Sequence, residues 1–232
     1  MKLMRNILFF ILLAGVMIFS CKKDASTAPS VDLGYNYFPT EVGRYVIYEV
    51  DSIAYDDKTH PPDTTRYLLK EVIADTFIDN SGRLALRIER FKKMYNKTIS
   101  YDSMNWVGPR VWYANRTSST AEKVEENVRY LKLAFPISKG KKWNGNTYNT
   151  FDQKDYEVVS FDQPETINNI PMDSVVTVKQ FEKIDFIEYI YEAEKYARNI
   201  GLISKVHDSL YDGGTADTIG YWYKQKIISY GK

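Results

Sequence analysis

Short bursts of aromatic and β-branched residues, separated by clusters of Asp, Asn, Gly and Pro, run from Tyr37 to the end of the chain and constrain its fold. Several bursts alternate apolar and polar residues, which places successive side chains on opposite faces of a strand. Leu84, Leu86 and Ile88 show this pattern directly after the turn sequence at 79–82. The pattern predicts an all-β, antiparallel fold with little helix.

Two other parts of the chain bear on this assignment. Residues 200–210 and 221–230 flank the turn sequence at 212–214, and together they predict a closing hairpin. Residues 120–130 and 186–197 fit the strand pattern less well, and the second segment would also line a helix. We favour a strand at 186–197 because its Phe, Ile and Tyr residues suit a pleated surface.

A spaced motif occurs twice in the chain. The motif consists of Phe-Pro, then three other residues, then Gly and a basic residue. It begins at Phe38 and again at Phe135, and a Tyr-rich strand candidate follows each copy. The repetition predicts two similar halves, residues 37–134 and 135–232, that share one strongly curved sheet. This sheet would form a partly closed barrel or a two-sheet sandwich. Two unrelated turns that both favour Pro and Gly remain the alternative.

The N-terminus has the order of an export signal. Lys2 and Arg5 precede an apolar run at residues 7–19, which ends at Ser20-Cys21. The run is shorter than the roughly 20 apolar residues that span a membrane. We therefore predict that residues 1–20 form a signal peptide that is removed. An uncleaved anchor helix is the alternative.

The next segment, residues 21–36, is rich in Lys, Ser, Thr, Ala, Pro and Asp and has little to bury. This composition predicts a flexible tether. The β-rich globular domain would then comprise residues 37–232.

The segment Ile18-Phe19-Ser20-Cys21 resembles the lipobox of bacterial lipoproteins. With the Lys-Lys-Asp that follows and the sequence at 196–203, the chain is similar to uncharacterised cell-envelope lipoproteins of the Bacteroidota. The resemblance implies a fatty acyl chain such as palmitate on Cys21 and an anchor in the outer membrane, on either of its faces. It implies no catalytic residues.

Composition excludes several classes of function. Cys21 is the only cysteine, so the mature chain has no disulfide and no cysteine-based metal site. The chain carries 31 basic and 30 acidic residues, a net charge of +1, which lacks the basic excess of a nucleic-acid-binding protein. Glycine-rich nucleotide motifs and the Gly-x-Ser-x-Gly elbow do not occur, so we predict no cofactor.

Candidate catalytic residues are few. His60 and His207 are the only histidines, and we interpret both as ordinary loop or surface residues. Glu188, Glu192 and Glu194 would share one strand face, which we interpret as the solvent face. Two Asp groups could bind calcium but lack the spacing of an EF-hand. We therefore predict no catalytic and no metal-binding residues.

The aromatic content is the remaining clue to function. The chain has 19 Tyr, 11 Phe and 4 Trp residues, types that serve in ligand pockets as well as on sheet faces. The leading prediction is a non-catalytic envelope protein that binds a hydrophobic molecule, a glycan or another envelope protein. One alternative is a glycan hydrolase with two facing carboxylates roughly 5 to 9.5 Å apart. Another is a structural subunit with a broad apolar patch.

A tripeptide of Asp, then Ser or Thr, then a small or aliphatic residue recurs along the chain. It is similar to the O-glycosylation site of exported Bacteroidota proteins, although Asp-Ser and Asp-Thr are also natural at turns. The candidate glycosylation sites are Ser52, Thr64, Ser103, Ser174, Ser209 and Thr218.

Overall fold

The computed structural model describes residues 31–56, 59–212 and 218–232. The predicted signal peptide and Cys21 lie outside these residues. The described part contains twelve strands and no α-helix, with short 3₁₀ turns at Tyr35–Tyr37 and Tyr101–Ser103. The strands are β1 (Tyr45–Asp56), β2 (Thr59–Ile78), β3 (Leu84–Met94), β4 (Val107–Arg116), β5 (Thr120–Glu125), β6 (Val128–Ala134), β7 (Lys142–Asn144), β8 (Asp155–Ile167), β9 (Ile170–Ile184), β10 (Glu188–Ala197), β11 (Gly201–Asp212) and β12 (Thr218–Gly231).

The strands form one antiparallel sheet that is nearly closed into a barrel. Consecutive strands pair with each other, except β6 and β7, and β12 pairs with β1, so β6 and β7 are the two ends of the sheet. The backbone N–H of Leu131 donates to the carbonyl of Gly145 at 2.9 Å across this gap. Lys132 on β6 also contacts Glu194 on β10. The all-β prediction is confirmed, and the architecture is the barrel rather than the sandwich.

The uncertain segments are also strands. Residues 120–130 form β5 and the start of β6, residues 188–197 form β10, and β11 and β12 make the predicted closing hairpin. The alternation of Leu131, Leu133 and Phe135 in the sequence predicts that these side chains share one face. This prediction was wrong, because a bulge in the β5–β6 pairing places Leu131 opposite Glu122 and Leu133 opposite Ala121. The two leucines therefore lie on different faces of the sheet. Within the described ranges, no helix is long and apolar enough to cross a membrane.

The two copies of the Phe-Pro motif make similar turns. Gly43 and Gly140 have φ values of 92° and 81°, which suit glycine. Their N–H groups donate to carbonyls of the second strand that follows each turn, to Ile73 on β2 at 2.8 Å and to Val158 on β8 at 2.7 Å. Six strands lie on each side of the predicted boundary at 134/135. A meander gives that strand order in any case, so the similarity of the halves over their whole length stays a prediction.

The N-terminal segment at 32–39 lies across one end of the barrel. The side chain of Tyr37 is 0% exposed, and its hydroxyl lies 2.5 Å from that of Ser174. The N–H of Asn199 donates to the carbonyl of Asn36 at 2.7 Å. Residues 32–36, assigned to the tether from sequence, thus belong to the compact unit that begins at Asp32.

We call this end, with residues 32–44, 135–141 and 198–200, the plugged end. Loops alternate between the two ends because each strand reverses the direction of the one before it. The opposite end, with residues 126–127 and 145–154, is called the open end.

Most of the large buried apolar side chains pack together in clusters toward the plugged end. Each fully buried aliphatic side chain contributes about 1.5–3 kcal/mol through removal from water. This apolar packing fixes the strands around the polar groups that follow toward the open end. Buried members of one apolar cluster are Tyr48, Val50, Leu69, Met172, Val175, Ala197, Ile203 and Ile227.

Candidate functional site

A network of charged side chains lies inside the barrel, between the apolar packing and the open end. It consists of three groups of ion pairs, with five cations against four carboxylates. The members are Glu71 with Arg90 and Lys123, Glu125 and Glu194 with Lys132 and Lys205, and Glu192 with Lys154.

Lys132 is the centre of this network. The β5–β6 bulge turns it inward, and its side chain is 4% exposed. Its Nζ lies 3.0 Å from Glu125 Oε1 and 2.9 Å from Glu194 Oε1. Tyr196 donates its hydroxyl proton to Glu194 at 2.5 Å, and Lys205 lies 3.3 Å from Glu125. Buried charges of this kind are tolerated in the folded protein only because each has a partner of opposite charge.

The pairing determines the protonation states. Burial alone would raise the pKa of Glu125 and of Glu194, but Lys132 and Lys205 outweigh burial and leave both pKa values below the ordinary range. Burial would lower the pKa of Lys132, but Glu125 and Glu194 raise it well above its usual value. At neutral pH the network is therefore a set of fixed charges.

A second group adjoins the first, since Lys123 and Glu125 lie two residues apart on β5. Glu71 on β2 accepts from Arg90 at 2.8 Å and from Lys123 on β5 at 2.9 Å. The guanidinium carbon of Arg90 lies 3.3 Å from the ring centre of Trp112. Burial would raise the pKa of Glu71, but Lys123 and Arg90 lower it overall. The ion pairs of this group are thus formed among its own three members.

Two cavities meet at the charged layer, because Glu125 and Lys132 line both of them. The upper cavity, toward the plugged end, has a volume of about 90 Å³ and mostly apolar walls that include Phe38 and Ile88. The lower pocket, toward the open end, has a volume of about 280 Å³. It is lined by Glu125, Tyr130, Lys132, Asn146, Phe151, Lys154, Tyr156, Gln180, Glu192, Lys205 and His207.

The lower pocket adjoins an outer cleft of about 570 Å³. The two share Asn146, Phe151, Lys154 and Glu192, and Lys154 Nζ lies 2.5 Å from Glu192 at their common wall. The cleft continues along Phe181, Ile190 and Ser209 toward the open end. A small molecule could thus enter the barrel from this side.

Gln180 on β9 is the one wall residue of the lower pocket whose buried side chain has an unpaired polar atom among the described residues. The side chain is 4% exposed, and its Nε2 has no acceptor in that part of the chain. Leaving a buried donor unpaired costs about 1–3 kcal/mol. Buried polar groups without partners are rare, and a bound ligand is one way to satisfy them.

The structure corrects one interpretation made from sequence. Glu192 and Glu194 face the lumen, not solvent, and Glu194 is only 1% exposed. The side chain of His207 is 42% exposed, as expected of a surface residue, and it also lines the lower pocket, where its Nε2 lies 3.9 Å from Glu192 and partial burial lowers its pKa. Glu188 lies near the β9–β10 turn and pairs with Lys183. The side chain of His60 lies outside the described residues.

Sequence reasoning did not find Lys132, Gln180 and Lys205. The available signal was charge of both signs repeated at a period of two, as in Lys123 and Glu125 or Glu192 and Glu194. That pattern fits a lumen of paired charges as well as a solvent face. Among the described residues, no group of three or more His, Cys, Asp or Glu side chains could hold a metal ion.

The candidate glycosylation sites differ in accessibility. Thr64 and Ser103 are exposed. Ser174 is 8% exposed, and its hydroxyl lies 2.5 Å from that of Tyr37. Ser52 and Ser209 are half-buried on strands, and the side chain of Thr218 lies outside the described residues.

We expect glycans on Ser103 and Thr64 in protein from the native host, and none on Ser174, because the modifying enzyme needs access to the hydroxyl. Intact-mass measurement should show hexose-sized increments, some of which disappear in Ser103→Ala. A mass equal to that of the lipidated polypeptide alone would contradict the hypothesis. So would a glycan found on Ser174.

Two solved structures are similar to this chain, each with 12% identity over 84% of this chain and 98% of the other. One is from Bacteroides fragilis, is described as a candidate exported protein with a YmcC-like fold, and gives a TM-score of 0.43. The other, a candidate lipoprotein from Parabacteroides distasonis, gives 0.35. The expected resemblance to exported lipoproteins of the Bacteroidota is confirmed to this extent. No protein-family model and no curated protein sequence matches the chain.

Proposed function

We propose that this protein is a lipid-anchored protein of the cell envelope, in the outer membrane, that binds a small ligand without catalysis. The ligand site is the lower pocket together with the outer cleft. The observation that carries the proposal is the buried amide of Gln180, a residue of the pocket wall whose Nε2 has no acceptor among the described residues. Ligand sites are concave, partly apolar and furnished with a few polar groups, as this pocket is.

The chain enters the compact unit away from the cleft. Asp32, the first residue of this unit, pairs with Arg198 at the plugged end. The outer cleft lies toward the open end, beside residues 150–154.

The alternative of a glycan hydrolase has less support. A hydrolase of this type needs one carboxyl group with a raised pKa to donate a proton. Glu125 and Glu194 both contact the ammonium group of Lys132, and the pKa of each is lowered. Carboxylates held ionised in this way are poor proton donors, which favours binding.

Co-purification tests the proposed site. Protein isolated from its native membrane should release a small molecule on denaturation, detected by mass spectrometry. Ile190→Trp should reduce the yield of this molecule, because Ile190 lines the outer cleft and the larger side chain occupies part of it. Ile187→Trp is the matched control, since Ile187 is exposed on the same hairpin and outside the cleft. Equal yields from both variants, or no molecule from the wild type, would contradict the proposal.

Anchoring has a separate test. Cys21→Ala should move the protein out of the membrane fraction or block its processing, because acylation needs the thiol. Labelled palmitate should appear on the wild type and on Ser20→Ala, which keeps a small residue before the cysteine. Absence of label on the wild type would rule out the lipoprotein assignment.

A second candidate function is docking of an envelope protein at the turn between β9 and β10. Phe186 is fully exposed there, and Ile184, Ile187 and Tyr189 are exposed beside it. Exposed apolar groups at one place are typical of interaction sites. Crosslinking in the native membrane should then capture a protein with the wild type and lose it in Phe186→Ser.

A further inference from the structure

We infer that the ligand of the lower pocket is a small organic anion with one carboxylate on a ring-sized body. The inference rests on the proposed function and specifies its ligand class. It is carried by the charges of the pocket wall, by its hydrogen-bond donors and by its size.

The charged groups of the wall are mostly ammonium groups. Lys132, Lys154 and Lys205 line the pocket with Glu125 and Glu192. Glu194 does not line the pocket, but its carboxylate lies 2.9 Å from Lys132 Nζ and 3.6 Å from Lys205 Nζ. The pocket surface therefore presents three ammonium groups and two carboxylates, and an anionic ligand would contact the ammonium groups, whereas a cation would be repelled by them.

The hydrogen-bonding groups of the pocket wall also favour a ligand that accepts hydrogen bonds. Glu125 accepts from Lys132 at one oxygen and from Lys205 at the other. A lysine ammonium has three donors, and Lys154 uses one of them on Glu192. Both carboxylate oxygens of Glu125 therefore already accept hydrogen bonds, whereas Lys154 still has unused N–H donors. Gln180 Nε2 adds a donor with no acceptor among the described residues.

The pocket volume limits the ligand to a small molecule. About 280 Å³ lies near the lower end of the range for ligand sites, roughly 300–1,000 Å³. Tyr130, Phe151 and Tyr156 provide flat walls against which a ring can pack. The upper cavity, with about 90 Å³, is too small for such a body.

The test compares acids with their uncharged amides on the acylated full chain in detergent, by titration calorimetry. Benzoate is paired with benzamide, glucuronate with glucuronamide, and inorganic phosphate is a separate arm. At least one carboxylate should bind about ten-fold or more tightly than its amide, the range expected for charge-assisted hydrogen bonds. Tighter binding of phosphate than of either carboxylate would overturn the assignment to a carboxylate.

Variants locate the binding. Lys154→Gln should weaken carboxylate binding about ten-fold and leave amide binding unchanged, whereas Lys154→Arg should retain the affinity. Gln180→Leu should weaken binding of both acid and amide, because both bring an acceptor oxygen. Gln225→Leu is its matched control, since Gln225 Nε2 is also buried without a partner among the described residues but does not line the pocket.

The outcomes separate this inference from the proposed function. Equal affinity for acid and amide, no carboxylate binding below about 1 mM, or an unaltered affinity in Lys154→Gln would each overturn the anion assignment. The proposed function would survive if an uncharged molecule co-purified with the wild type and in lower yield with Ile190→Trp. If no molecule co-purified and no probe bound, both would be overturned.

Discussion

Replacing Lys132 by methionine is expected to lower the free energy of unfolding by about 3–5 kcal/mol, the usual cost of removing one partner from a buried ion pair. Methionine keeps the length of the side chain but removes the charge that Glu125 and Glu194 both contact. Lys205 remains near both carboxylates but at longer distances, 3.3 and 3.6 Å. Urea unfolding followed by tryptophan fluorescence measures the change.

The matched control is Lys142→Met. Lys142 is 64% exposed and lies 3.5 Å from Glu157, so this pair should contribute at most about 1 kcal/mol. Equal losses in the two variants would mean that the interior network contributes no more than a surface pair.

The wild type and Lys132→Met can also be compared as a function of pH. In the wild type the pKa values of Glu125 and Glu194 are lowered, so their contribution is present above the ordinary pKa of about 4.3 and is lost as the pH falls below it. Without Lys132, burial should raise both pKa values, and protonation then relieves the buried charge. The difference in stability between wild type and Lys132→Met should therefore shrink as the pH falls from 7 to 4.

The strand content could be predicted from sequence because alternation survives along most strands. Leu86 and Ile88 alternate with charged residues and are buried, as expected. The barrel could not be distinguished from a sandwich, because closure depends on contacts between distant strands, such as Lys132 with Glu194. A bulge such as that in the β5–β6 pairing also leaves no trace in composition, yet it exchanges the faces of the residues that follow it.

The site was harder to predict than the fold. A period of two separates the faces of a strand but does not show which face points into a lumen. Glu192 and Glu194 therefore resembled a solvent face until their partners Lys154 and Lys132 were located on other strands. Gln180 has no local signature, since what singles it out is its burial without a partner among the described residues.

Replacing Gly220 by alanine is expected to lower the free energy of unfolding by about 3 kcal/mol or more. Gly220 has φ +136°, a conformation that costs other residues about 1–3 kcal/mol. An added Cβ would lie 2.1 Å from the backbone oxygen of Ser209 and 3.0 Å from Cα of Leu210. Overpacking of this kind costs about 1–3 kcal/mol further, because backbone must move.

Gly82→Ala is the control that separates strain from overlap. Gly82 has φ +74°, but no atom lies within 4 Å of the position of an added Cβ. It should therefore lose only the strain of a left-handed residue, about 1–2 kcal/mol. Because β12 pairs with β1 as well as with β11, displacement at Gly220 should also increase hydrogen exchange along both pairings. Two results together would contradict this prediction: equal losses of unfolding free energy in the two alanine variants, and unaltered hydrogen exchange in β1. They would mean that the close approach of Gly220 to Ser209 does not support the pairing of β12 with β1.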